Sequence, residues 1–217
     1  MIIKKYLHSC LVVEEKGKRL LIDPGLFSFI EGTITPADVG PADVIIFTHK
    51  HADHLDMGAL KNFLEMRKAT IVTHGEIGEL LGKEGIAHER IEAGQTGSAD
   101  GFTIKALAAP HEEIPTEIPH NLAYLINGTL LHPGDSLRVA GVEHVDVLAL
   151  PTFAPWLRAV DVIAFAKKLS PKVAIPIHDA FIKDFALDRF NPLMYRPRLT
   201  EVGIDFRPLS HTDELAV

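Results

Sequence analysis

Val44-Ile45-Ile46-Phe47-Thr48-His49-Lys50-His51-Ala52-Asp53-His54 decides how the rest of the chain is read. Its first four residues are an uninterrupted apolar run, the pattern of a strand covered on both faces. Its last six carry three histidines and an aspartate. Neutral imidazole and carboxylate are the ligands a borderline dication such as Zn2+ takes where thiolates are absent. In extended backbone, residues two apart point to one side, so His49 and His51 can grip one ion. Asp53 and His54 are adjacent and can serve a second ion as the chain turns into a helix. That helix is predicted by Leu60, Phe63, Leu64 and Arg67 at helical spacing, with Asp53 or Asp56 near its N-terminus. A solvated loop holding histidines by coincidence is the plainer alternative, and the density of ligand-type residues argues against it.

One loop cannot complete two coordination shells, so the ends of other strands must contribute. Three places fit. His111 follows the predicted strand Ile104 to Ala109 and the breaker Pro110. Asp135 follows Leu130-Leu131-His132-Pro133-Gly134, where glycine permits close backbone approach. His178 follows Ala174-Ile175-Pro176-Ile177. Each is a ligand-type residue just past an apolar strand, where function concentrates on a rigid scaffold. Singly, each is equally well a hydrogen-bonded loop residue; together with 49–54 they make a set for two metals.

Working outward, residues 2–7, 10–14 and 19–22 read as strands, with a turn at Lys16-Gly17-Lys18 and a stop at Asp23-Pro24-Gly25. Residues 26–41 read as a loop. A strand over 69–73 and a helix over 76–81 follow. Strands are predicted over 102–108, 121–126, 129–131 and 145–150, with a hairpin signal at Asn127-Gly128. A helix over 160–169 precedes a last buried strand over 173–177. Pro192, Pro197 and Pro208 interrupt the pattern beyond. Two packed sheets with helices outside is the expected architecture.

The ordered motifs resemble the metallo-β-lactamase superfamily over about residues 6–180. They are Asp23 in Leu-Ile-Asp-Pro, His-x-His-x-Asp-His at 49–54, His111, Asp135 in His-Pro-Gly-Asp, and His178. Within it the chain looks like the ascorbate-6-phosphate-lactonase-like branch of metal-dependent hydrolases, through His8-Ser9-Cys10, Leu150-Pro151 to Trp156 and Pro176-Ile177-His178-Asp179. The resemblance implies an α/β fold, a four-layer αββα sandwich, with residues 1–217 as one domain. It implies that His49, His51 and His111 hold a first metal, that Asp53, His54 and His178 hold a second, and that Asp135 bridges them. Zinc is the usual metal of the family; Mn2+, Fe2+ or Ni2+ suit the same ligands.

A water shared by two dications has its pKa brought from 15.7 toward about 7. The expectation is a bridging hydroxide that attacks an ester, lactone or phosphodiester of a small, anionic molecule. Asp53 orients the nucleophile and accepts its proton, as the resemblance implies. Asp23 is expected to hold a ligand imidazole in its metal-binding tautomer, a turn cap being the alternative. His8 either approaches the site or sits in a turn with Ser9. His132 faces the substrate or the core, and His120 belongs to a substrate loop or to plain surface. Asp179 is expected behind His178 or on the surface, and His74, His88, His144 and His211 as surface or structural residues. Trp156 is expected in the core, a pocket wall being the alternative, and Cys10 as a buried small side chain.

Composition sets the outer limits. The chain has 217 residues, 47% hydrophobic and 24% charged, with a net charge of −7 and one cysteine. That excludes a disordered tail, a collagen and a disulfide scaffold. An acidic chain with scattered Lys and Arg is a poor ligand for nucleic acid or an anionic membrane. No run has the length of a signal peptide or membrane span, so a cytoplasmic protein acting on a small molecule is expected, with a homo-oligomer permitted. Two other functions compete. A mononuclear iron redox enzyme of the persulfide dioxygenase type shares the signature, whereas the diiron oxidoreductases carry Glu where His51 stands. A non-catalytic ligand-binding member is the other, and an intact ligand set argues against it.

Overall fold

A computed structural model of the chain describes the backbone of residues 1–217, and the side chains of all but 184–188, 190 and 191. The strands are β1 Ile2–Lys5, β2 Leu11–Glu15, β3 Lys18–Ile22, β4 Val44–Ile46, β5 Thr70–Thr73, β6 Glu89–Arg90 and β7 Thr96–Ala99. They continue as β8 Phe102–Ala108, β9 Leu122–Ile126, β10 Leu130–His132, β11 Val147–Pro151, β12 Val173–Ile177, β13 Asp205–Phe206 and β14 Glu214–Ala216. The α-helices are α1 Pro36–Val39, α2 Met57–Met66, α3 Gly75–Lys83, α4 Ala159–Leu169 and α5 Asp184–Thr200.

Two seven-stranded sheets result, in the orders β14-β1-β2-β3-β4-β5-β6 and β13-β12-β11-β10-β9-β8-β7. In each, an antiparallel run gives way to parallel strands, at β3–β4 in the first and at β10–β11 in the second. Strand periodicity explains the layering. Val44 and Ile46 face the space between the sheets, with Leu20, Ile22, Tyr124, Leu130, Val147 and Ile175. Ile45 and Phe47 face outward onto Leu60 and Phe63 of α2 and Ile77 and Leu81 of α3. On the far sheet, Leu131, Leu148 and Ala174 pack under Val162, Phe165 and Leu169 of α4 and Tyr195 and Leu199 of α5. The arrangement is the expected αββα sandwich. At about 0.8 kcal/mol per buried methylene, these three clusters supply the bulk of the driving force.

Several local expectations need correction. Residues 26–41 are not irregular throughout: they contain a 3-10 turn at Leu26–Ser28 and the short α1. The side chain of Thr35 accepts from Asp38 N, and Asp38 reaches back to Thr35 N, a capping box with Pro36 at the first turn. Pro192 and Pro197 lie inside α5 rather than ending it, and the burial of Tyr195 and Leu199 offsets the lost helix hydrogen bonds. Strands β6, β7, β13 and β14 are not among the expected ones. β14 pairs with β1, so the two ends of the chain lie side by side.

Two glycines let loops meet. A Cβ on Gly25 would sit 1.9 Å from the Asp53 carbonyl oxygen and 2.4 Å from His54 N. One on Gly134 would sit 2.1 Å from Asn121 Oδ1, at a residue whose φ is +59°. Only glycine lets the turn after β3 pack against the 53–54 peptide, and the turn after β10 against Thr48.

Candidate metal centre

The loops that follow β1, β3, β4, β8, β10 and β12 meet at one edge of the two sheets. Two groups of side chains converge there, His49, His51, His111 and Asp135 in one, and His8, Asp53, His54 and His178 in the other; within each, the donor atoms all lie within 4.8 Å of one another. Asp135 joins the groups. Its Oδ2 lies 3.5 Å from His111 Nε2 and 4.0 Å from His49 Nε2 on one side, and 3.1 Å from His178 Nε2 on the other. Its Oδ1 lies 3.1 Å from His54 Nε2.

The protonation of each ring follows from what its other nitrogen meets. His54 Nδ1–H donates to Asp23 Oδ2 at 2.7 Å. His111 Nδ1–H donates to the Glu112 carbonyl at 2.7 Å, and His178 Nδ1–H to the Phe153 carbonyl at 2.7 Å. Thr48 Oγ1 donates to Asp23 Oδ2 at 2.6 Å and so accepts from His49 Nδ1 at 3.1 Å. With the Nδ1 protons fixed outward, the Nε2 lone pairs of His49, His54, His111 and His178 all face inward. His51 contributes Nδ1, which lies 3.1 Å from His49 Nε2.

Lone pairs facing carboxylate oxygens are acceptors against acceptors. Accordingly, the Nε2 atoms of His54, His111 and His178 and Oδ1 of Asp135 are buried without a hydrogen-bond partner. Such a cluster needs cations, either protons or metal ions, to be stable in a low-dielectric interior. The donor set therefore fits a metal. In its protein-only form the cluster uses protons. Burial lowers the pKa of His178, yet Asp135 and Asp53 outweigh burial and hold it up at about 9. The same balance of burial against Asp135 and Asp53 leaves His54 well above its ordinary value. Burial raises Asp53 and Asp135, but the neighbouring imidazoles prevail and hold both carboxyls well below the usual range. Burial, followed by the nearby His54, keeps His49 well below its ordinary value.

His8 differs from the other rings. The Ala180 N–H points to its Nδ1 at 3.4 Å, so its proton sits on Nε2 and is donated to Asp53 Oδ2 at 3.1 Å. Burial, then the charge of His178, pushes its pKa down to about 3. His8, Asp23 and His178 all have left-handed backbone, at φ 60°, 47° and 60°. Such conformations cost roughly 1 kcal/mol each in non-glycine residues and concentrate at functional sites. His178 is held by His178 N–His8 O at 3.2 Å and by the neighbouring Asp179, whose carboxylate pairs with the buried Lys5 at 3.0 Å.

Asp23 stands behind His54, 2.7 Å from its Nδ1. His132 does not join either group: its Nε2 donates to the Ser9 carbonyl at 3.1 Å and it is fully buried. His120 is exposed outside both groups, its ring 4.5 Å from that of His74. Burial, then the charge of His120, pushes His74 down to about 4 as it donates to the Thr48 carbonyl. Cys10 is buried, and burial pushes its thiol up to about 12. Trp156 is not a core residue: it is half-buried, 6.1 Å from the His111 ring and 5.7 Å from that of His178. An apolar residue that follows Pro155 in a short segment before α4 carries no pattern that separates wall from core.

Sequence reasoning missed Thr48 and Asn121. Asn121 Nδ2 donates to the carbonyls of Ala109 and Pro133 at 2.7 and 3.0 Å, and its Oδ1 accepts from Asp135 N at 3.3 Å. It thus ties the His111 and Asp135 loops together. Its only sequence signal is an amide at the start of an apolar strand.

The profile of the family described as "Beta-lactamase superfamily domain" matches residues 2–178. Protein Rv0786c of Mycobacterium tuberculosis is 34% identical over 212 residues, covering 93% of each chain. A UPF0173 metal-dependent hydrolase of Carboxydothermus hydrogenoformans is 28% identical over 186 residues, covering 79% of this chain and 81% of that one. Among solved structures, Igni18, a metallo hydrolase from Ignicoccus hospitalis, superposes with a TM-score of 0.75 at 19% identity, covering 99% of this chain and 97% of that one.

Proposed function

From the premise that the chain belongs to the β-lactamase superfamily and has the metallo-β-lactamase fold, we propose that it is a hydrolase working with two divalent ions. The supporting observation is the doubled donor set around one shared carboxylate, with orphaned Nε2 atoms on both sides of Asp135. His49, His51 and His111 would hold one ion, Asp53, His54 and His178 the other, and Asp135 both. Nitrogen and carboxylate donors without thiolate favour Zn2+, with Mn2+, Fe2+ or Ni2+ as substitutes. When bound, the ions would polarise a carbonyl or phosphoryl oxygen and bring a water toward ionisation at neutral pH.

The chain's own residues do the remainder. Asp53 is the more open of the central carboxylates, 17% exposed against 3% for Asp135. It would orient the attacking water and take its proton. His8 holds the Asp53 carboxylate through its Nε2–H. Asp23 and the carbonyls of Glu112 and Phe153 keep the ligand tautomers fixed. Enclosed cationic charge favours a small substrate with an ester, lactone or phosphodiester and anionic character. The lactonase-like branch remains our reading through His8-Ser9-Cys10 and Pro176 to Asp179. We take residues 1–217 as one domain, because β13 and β14, beyond the family match, complete the two sheets.

No helix among the described residues is long and apolar enough to cross a membrane. We take the protein as cytoplasmic, with no nucleic-acid partner given its scattered basic residues, and free to form a homo-oligomer. A mononuclear iron reading is less well supported, since the chain offers two complete groups. Metal quantification on the wild type, His51→Ala and Asp135→Ala, with turnover of lactones, esters and phosphodiesters, tests the proposal. Metal and turnover should fall together; full activity in a metal-free variant refutes it, and oxygen uptake marks the redox alternative.

A further inference from the structure

Beside the Asp53, His54 and His178 group lies a cleft of about 560 Å3 with walls that include Leu7, Phe27, Ile30, Phe181 and Ile182. We propose that this cleft receives an unbranched acyl or alkyl chain attached to the scissile carbonyl, so that the preferred substrates are esters or lactones carrying such a chain. The inference rests on the hydrolase reading above and names the substrate class of that site.

Contiguity is the first argument. Phe27 and Phe181 meet edge-on at 5.0 Å, and their rings lie 5.3 and 5.9 Å from that of His8. Phe181 is also 6.3 Å from the His178 ring. A chain laid between the phenylalanines therefore begins at the metal-ligating group. The second argument is exposure. Ile30 is 61%, Phe181 50% and Phe153 41% exposed, and Phe153 lies 6.3 Å from Phe181. Large apolar side chains gathered around one opening mark a binding site rather than ordinary surface. The third is polarity. His8 spends both ring nitrogens on Asp53 and Ala180, so it turns only carbon toward Phe27 and Phe181. Glu31 and Lys183 at the cleft oppose one another in charge, which leaves no demand for a charged occupant. The volume falls within the roughly 300–1,000 Å3 of small-molecule sites.

Two measurements test this. Octanoate and acetate are titrated against the metal-free protein while backbone amide resonances are followed. Octanoate should shift residues 27–30 and 180–182, acetate should not, and Phe181→Ser should weaken octanoate about tenfold. Next, kcat/KM is measured on zinc-loaded protein with butyryl, hexanoyl and octanoyl esters. It should rise by up to about fourfold per methylene, and the slope should flatten in Phe181→Ser and Ile30→Ser at unchanged metal content. Turnover of every ester at equal efficiency overturns the cleft and leaves the hydrolase standing. No ester turnover, with octanoate still bound at 27–30 and 180–182, defeats the hydrolase reading and supports the cleft. Unmoved amides overturn the proposal. So does a dimer that Phe181→Ser dissociates, since a second copy then covers the cleft.

Discussion

Asp23→Asn isolates the role of an anion placed behind a ligand. Both Asp23 oxygens only accept: Oδ1 takes Thr48 N–H at 2.8 Å, and Oδ2 takes Thr48 Oγ1–H at 2.6 Å and His54 Nδ1–H at 2.7 Å. Asparagine has one acceptor oxygen. If that oxygen stays on Thr48 N–H, the amide N–H groups face His54 Nδ1, which must become an acceptor. The imidazole proton then moves to Nε2 and points at Asp135 Oδ1, and His54 ceases to be a ligand. If the amide flips, two donors face each other in a fully buried place, at about 1–3 kcal/mol. Loss of such a supporting carboxylate typically weakens a metal 10- to 100-fold, about 1.4–2.7 kcal/mol. On the two-ion proposal, the loss should fall on the ion that Asp53, His54 and His178 would hold, leaving the other near its native affinity. Competition against a chromophoric chelator resolves the two sites, with urea midpoints of the metal-free proteins as the folding control. Two native affinities in a folded Asp23→Asn protein would show that the carboxylate does not set the His54 tautomer.

The metal-free protein should lose stability on alkalinisation. His178 rises from 6.5 to about 9 on folding; its contribution is complete below pH 6.5 and lost as pH climbs through 9, at most about 3 kcal/mol. Urea midpoints from pH 6 to 9.5 should fall for the chelator-treated protein and stay level for the loaded one; equal profiles would refute this. Gly134→Ala sets a Cβ 2.1 Å from Asn121 Oδ1 and 2.8 Å from Thr48 Cβ at positive φ. It should cost about 2–4 kcal/mol and displace Asp135; a variant with native metal content and thermal midpoint contradicts the close approach. Lys5→Met strands the Asp179 carboxylate, which is buried with Lys5 at 2% exposure each. About 3–5 kcal/mol should be lost in urea denaturation, and Lys5→Met/Asp179→Leu should recover most of it. No recovery in the double variant means that the pair stabilises through more than its mutual charge.

What could be read beforehand divides along a physical line. Val44 to Phe47 announces a central strand because burial on both faces demands apolar side chains throughout, and Gly134 announces a close approach because no other residue fits. The convergence of His111, Asp135 and His178 on residues 49–54 was readable as a set, since each follows a strand end. Contacts made by main-chain atoms leave no such trace. The acceptors for His111 and His178 are carbonyls of Glu112 and Phe153, and any residue supplies a carbonyl. The pairing of β14 with β1 joins residues 2–4 to 214–216, beyond the reach of local pattern. Helix α5 escaped because proline rules describe isolated helices, whereas here Tyr195 and Leu199 are packed against a sheet.

The site lies where the two halves of the chain abut. The first half supplies His49, His51, Asp53 and His54, the second His111, Asp135 and His178, and neither of the two groups is complete without both. An ion seated in either group is therefore a rivet through the sandwich. Prying the sheets apart must first break its coordination, so saturating metal should slow unfolding as well as raise stability, by RT ln(1 + [M]/Kd) at equilibrium. Half-chains expressed separately should find one another more readily when zinc is present to fasten the seam.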